Sequence, residues 1–240
     1  MIKKTVLAIF IFVFFLQAET LSVNYDRNGL SIRENISGEV RFGKIRSGST
    51  SYTRVLPGED YIPAGQYPET RYYEKTFYFA APENGEPGII FSVSDITEFN
   101  KKELVPAEKF EKGSQGIISP VIVEPEKRKD SDFPPAELIY AGRMNGMEIY
   151  KIIIRPLIFR GEKAVLYKDI SVSVKFKKAF ENEAMKLSKP ANAVEKEIIN
   201  LNIAKNNPVR YRKEIVRTFL DRKTKWAKVR ITEDGIYRIS

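Results

Sequence analysis

The sequence predicts a mainly β protein: an antiparallel β-sandwich of jelly-roll-like class, followed by a short helical segment and a basic linker. Three observations carry that expectation. Ile170, Val172, Val174 and Phe176 alternate with Ser171, Ser173 and Lys175, the period of two that marks a strand with one buried face. Residues 148–157 are apolar at consecutive positions and rich in isoleucine, as in a strand covered on both faces. Pro156 and the isoleucine run make a single long helix over the same stretch a poor alternative. Gly161, in Arg160-Gly161-Glu162-Lys163, supplies a turn, so the two runs are expected to return antiparallel. The expected core is Ile149, Ile152, Ile154, Ile170, Val172, Val174 and Phe176.

Residues 1–18 read as a secretory signal peptide. Lys3 and Lys4 precede an unbroken apolar run of 11 residues, Val6 to Leu16, and Ala18 offers the cleavage site. That run falls short of the ~20 residues a bilayer span needs, so no stable membrane span is expected. Export would place the mature chain in the periplasm, on the cell surface or outside the cell.

Residues 19–178 are expected to form the sandwich domain. Leu21, Val23 and Tyr25, then Leu30 and Ile32, give short alternating pieces around Asn28-Gly29, a favoured two-residue hairpin turn. Gly48-Ser49-Thr50-Ser51 reads as a loop. The Pro- and Gly-dense residues 55–68 cannot be a central strand or a helix, so they are expected to wrap the surface or cross between sheets. Residues 69–81 carry Tyr72, Tyr73, Phe77, Tyr78 and Phe79 in a strand pattern. Gly85-Glu86-Pro87-Gly88 turns the chain into another strand from Ile89. Residues 103–135 read as a long surface loop with one apolar island at Ile117-Ile118 and Val121-Ile122-Val123.

Residues 179–225 change character. Val194, Ile198 and Leu201 fall at helical spacing after Pro190, and Asn206-Asn207-Pro208 ends the run. The net charge of +9 is not spread evenly. Residues 19–204 hold 27 basic and 27 acidic side chains, whereas residues 205–230 hold 10 basic and 2 acidic ones. A neutral body argues against a nucleic-acid-binding face. The chain has no cysteine and no histidine, which excludes Cys/His zinc sites, Cys–His dyads and Ser–His–Asp triads. No catalytic residue, metal or cofactor is therefore assigned.

Taken in order, four stretches resemble the amino-terminal propeptide region of gingipain-type secreted cysteine peptidases, a family linked to type IX secretion. They are the signal peptide, the Leu56-Pro57-Gly58 to Pro63 segment, the Arg143-Met144-Asn145-Gly146 turn with its strands through Phe176, and the ending, residues 226–240. The ending is the most specific: Trp226-Ala227-Lys228-Val229 leads through Glu233-Asp234-Gly235 to Ile236-Tyr237-Arg238-Ile239, like the opening of the mature peptidase region. The resemblance implies a zymogen propeptide, acting as intramolecular chaperone and inhibitor, whose partner is a cognate peptidase domain downstream of Ser240. Residues 226–240 would then be the first strands of that region. The family's His and Cys are absent here, so this stretch would not itself be an enzyme. Processing by proteolysis is expected in the basic linker at Arg210, Arg212, Lys213, Arg217, Arg222 or Lys223. A different reading remains open from the residues alone: a stand-alone exported adhesin or carbohydrate-binding module with Tyr72, Tyr73 and Tyr78 as an exposed platform.

Overall fold

The computed structural model describes residues 21–112, 117–125, 133–184 and 191–207. The expected signal peptide with Ala18, the processing candidates Arg210, Arg212, Lys213, Arg217, Arg222 and Lys223, and the stretch 226–240 lie outside the described residues.

Two antiparallel sheets face each other. In the first, strands β1 (Leu21–Tyr25), β2 (Gly29–Asn35), β13 (Lys163–Phe176) and β12 (Leu157–Arg160) follow one another, with β7 (Pro87–Asn100) on the far flank of β13. The second has the order β10 (Ala136–Met144), β11 (Met147–Ile154), β6 (Tyr72–Ala81) and β5 (Ile62–Ala64). Two hairpins stand apart from these sheets: β3 (Arg41–Ser47) with β4 (Thr50–Leu56), and β8 (Lys109–Lys112) with β9 (Ile118–Val121).

The alternation in β13 places its side chains as expected. Ile170, Val172, Val174 and Phe176 are buried against Phe79, Ile152 and Ile154 of the opposite sheet, and all seven expected core residues are buried. β13 pairs with β2 through Val172↔Ile32 and with β7 through Val172↔Phe91, which makes it the central strand. At Gly29 the backbones of β2 and β13 come so close that a Cβ would lie 2.0 Å from the Val174 carbonyl oxygen. Only glycine fits there.

The two runs that define the class do not pair with each other. β11 lies in the second sheet between β10 and β6, and the partner of β13 across the Gly161 turn is the short β12. Pro156 explains the switch. It brings no N–H to continue the β11 ladder, and the chain steps to the other sheet at Arg155-Pro156, as strands do at sandwich corners. Arg155 sits at this corner, only 4% exposed. Its Nε donates to Glu74 Oε1 at 2.6 Å and its Nη1 to Glu137 Oε2 at 2.8 Å, with the guanidinium 4.5 Å from the Phe133 ring centre.

Three other expectations change. The β1–β2 turn is not the two-residue Asn28-Gly29 type: Tyr25 pairs with Leu30, and Asp26 Oδ1 accepts the amides of Asn28 and Gly29. Gly48-Ser49 is the tight turn of a hairpin, with Gly48 at φ +58°, and Thr50 and Ser51 already belong to β4. Residues 103–135 contain the β8–β9 hairpin, and Leu104, Val105 and Ala107, which precede it in sequence, are buried.

The expected helix over 190–203 is reduced to a 3-10 turn at Glu195–Glu197 and α1 (Leu201–Lys205). Ile198 between them is extended and bridges to Tyr78. Tertiary pairing has overridden the helical spacing: the free edge of β6 takes residues 198–200 as a partner instead. Ile198, Leu201, Ile203 and Ala204 join the main core, so this segment is part of the body.

Candidate functional site

The chain contains no His or Cys, and the described residues hold no group of three or more ligating side chains placed for a metal ion. What the structure offers is a surface. On the β8–β9 hairpin, Phe110 pairs with Pro120 and Lys112 with Ile118, which puts Phe110 and Ile118 on one face. Both are 67% exposed, and Ile117 is exposed beside them. The β3–β4 hairpin adds Phe42, 55% exposed, with its ring 5.8 Å from Phe99. Ser47 Oγ donates to the Ile122 carbonyl at 2.5 Å and joins the two hairpins.

A two-stranded hairpin has little core of its own, so large apolar side chains displayed on one mark a surface built to be covered. Its charge is one-sided as well. Arg41, Lys44, Arg46 and Arg54 lie on β3 and β4 with no acidic residue between Glu39 and Glu59, although the body is neutral. This end is anchored to the sandwich through buried backbone. Thr53 bridges to Leu104, Val105 N donates to the Thr53 carbonyl at 3.1 Å, and Arg71 N donates to the Val105 carbonyl at 3.2 Å.

Sequence reading found Ile117 and Ile118 but not Phe42, Phe110, Lys44 or Arg46. The available signal was the run of basic residues without an acid, read together with the Phe42, Lys44, Arg46 alternation. The platform of Tyr72, Tyr73 and Tyr78 does not exist: Tyr72 and Tyr73 are buried core side chains, and only Tyr78 reaches the surface.

At the other end, the path toward the basic linker is fixed. Glu195 Oε2 accepts from Lys205 Nζ at 2.8 Å and from the Asn192 amide at 3.1 Å, and Oε1 accepts from Asn145 Nδ2. The Lys205 contact leads the causes that hold the Glu195 carboxyl below its ordinary value. Asn207 exchanges hydrogen bonds with the Asn182 backbone, Asn182 N to Asn207 Oδ1 at 2.7 Å and Asn207 Nδ2 to Asn182 O at 3.0 Å. Lys205 is thus engaged with the body, unlike a free linker side chain.

Between the two sheets lies a buried ion pair. Glu34 of β2 accepts from Lys75 of β6 at 2.9 Å, and Lys75 also reaches Asp60 at 3.2 Å. Burial pushes the Glu34 carboxyl above its ordinary 4.5, against the opposing pull of Lys75. A carboxyl whose folded value is raised binds its proton more tightly in the folded state. Its contribution is greatest below pH 4.5 and falls as pH rises through the raised value. Glu34→Gln should therefore gain on the wild type as pH rises from 4.5 to 7. Urea denaturation across that range tests it, and a wild-type advantage growing with pH would contradict the sign.

No family model matches the chain, and no curated protein matches it. Solved structures do. The chain is similar to one from the complex of Porphyromonas gingivalis RgpB pro- and mature domains, at 12% identity and a TM-score of 0.56 over 76% of this chain and 98% of that one. It also matches a structure on the zymogenic latency of gingipain K from Porphyromonas gingivalis, at 14% identity and a TM-score of 0.49 over 68% and 96%. At such identities the likeness is one of fold: the body has a gingipain-type propeptide fold.

Proposed function

We propose that the chain is the propeptide of a secreted gingipain-type cysteine endopeptidase, acting as intramolecular chaperone and inhibitor, exported by its signal peptide and removed by cleavage in the basic linker. The observation that carries this reading is the RgpB likeness, which spans 98% of a chain taken from a complex of pro- and mature domains. The partner is the cognate peptidase domain, encoded downstream of Ser240. The covering surface is the two-hairpin end, where Phe42, Phe110 and Ile118 would be buried by the partner and Arg41, Lys44 and Arg46 would meet acidic groups.

The test is inhibition. Intact chain mixed with the peptidase domain of the same precursor should suppress its activity, and Phe110→Asp with Ile118→Asp should abolish suppression. Both side chains are exposed, so these variants should melt close to the wild type. Full suppression by the double variant would remove the hairpins from the interface. The burial of Tyr72 and Tyr73 disfavours the adhesin or carbohydrate-binding reading.

Release rests on the linker being cut first. Limited trypsin should cleave the folded chain after Arg210, Arg212, Lys213, Arg217, Arg222 or Lys223, leaving a resistant body that ends near Lys205. The Lys205–Glu195 pair and the Asn207–Asn182 exchange support that endpoint. A first cut among the Lys and Arg residues of 140–178, with the linker intact, would defeat this route.

A further inference from the structure

Among the described residues, four buried side-chain atoms make no hydrogen bond: Glu34 Oε2, Tyr61 Oη, Arg54 Nε and Tyr73 Oη. They fall into two pairs. Glu34 and Tyr61 interact with each other, the carboxylate reinforcing what burial does to the phenol. Arg54 and Tyr73 line one small cavity, together with Thr53, Arg71, Leu104 and Leu157. Tyr73 is 4% exposed, and its hydroxyl is itself buried.

We propose that this cavity is a binding site for a monatomic anion of chloride size. The chemistry of the lining selects the class. Arg54 Nε–H can only donate, and the Tyr73 hydroxyl has its hydrogen to give, so a shared partner must accept from both. The cavity has room for about one atom of water size. Charge then separates an anion from water. Arg71 is paired with Glu108, and no acidic side chain is paired with Arg54 among the described residues. One positive charge in a half-buried setting is left to be balanced. A halide satisfies both donors and that charge; a water molecule satisfies only the donors. The position gives such an ion a task. It would tie β4, which carries Arg54, to β6, which carries Tyr73, at the place where Thr53 and Leu104 anchor the two-hairpin end. The inference does not depend on the proposed propeptide role.

The test is thermal denaturation of the full chain in sodium chloride, sodium bromide and sodium gluconate at matched ionic strength. Chloride and bromide should raise Tm by about 3–6 °C for each tenfold increase above the dissociation constant, and gluconate, too large for the cavity, should not. Tyr73→Phe and Arg54→Gln should each flatten that dependence. In case either variant folds poorly, a bromide-soaked crystal of the wild type gives an independent answer: an anomalous peak within hydrogen-bond reach of Arg54 Nε and Tyr73 Oη. Equal response to all three salts, or a site without an anomalous peak, would overturn the proposal and leave water as the shared acceptor.

Discussion

Val172→Asp should prevent the body from folding. Val172 is 1% exposed on the central strand, flanked by Ile32 on β2 and Phe91 on β7, and its side chain enters the layer between the sheets. The cluster it joins is apolar, and Lys75, the cation between the sheets, is already paired with Glu34 and Asp60, so a carboxylate there would be buried without a partner. The penalty is several kcal/mol per ion, a large share of the ~5–15 kcal/mol that holds a domain together. Ser173→Asp is the control. Ser173 pairs with Ser31 and Ile90 on the opposite face, where a carboxylate stays hydrated, and the change should stay within about 0.5 kcal/mol. Circular dichroism melts of both variants give the comparison. Equal losses would mean that the two faces of β13 are not inside and outside.

The contrast between Val172 and Ser173 was legible because a period of two is a local property, set by backbone geometry that each residue shares with its neighbours. The aromatic strand β6 was legible by composition instead: Tyr72 and Tyr73 are neighbours on opposite faces, yet both are buried, as is Phe79. Partner choice was not legible. Residues 148–157 and 165–176 are adjacent in sequence and both strand-like, yet Arg155-Pro156 sends them to different sheets. The reward for that corner comes from Glu74 and Glu137, far along the chain. The β3–β4 and β8–β9 hairpins were missed for a related reason: solvent covers both faces over much of their length, so inside–outside alternation is faint. Propensity misled at the Asn28-Gly29 turn and again at residues 190–203, where Val194 and Ile198 sit at helical spacing but the open edge of β6 offers backbone partners that a helix would forgo.

That edge is held by one side chain, and Asn200→Ala should therefore cost far more than a surface asparagine. Asn200 is 0% exposed. Its Oδ1 accepts from the Ala80 amide and its Nδ2 donates to the Ala80 carbonyl, both at 2.8 Å, so the side-chain amide stands in for a neighbouring strand. Ile199 N donates to the Tyr78 carbonyl at 2.9 Å in the same row. Removing the amide leaves a buried N–H and a buried C=O of β6 unpaired, at about 1–3 kcal/mol each. Asn200→Asp gives a sharper signature. An ionised Asp can accept from the Ala80 amide but would face the Ala80 carbonyl with negative charge, whereas a protonated Asp can donate to it. Its folded-state value should lie above the ordinary ~3.9, so the variant should be weakest at neutral pH and recover as pH falls toward 4. Loosening this anchor should also free the segment that leads to the linker, adding early trypsin cuts at Lys196 and Lys205 to those beyond Arg210. If Asn200→Ala melts with the wild type and yields the same tryptic fragments, residues 198–200 do not seal β6, and the segment up to Asn207 must be held by the Lys205–Glu195 pair and the Asn182–Asn207 exchange.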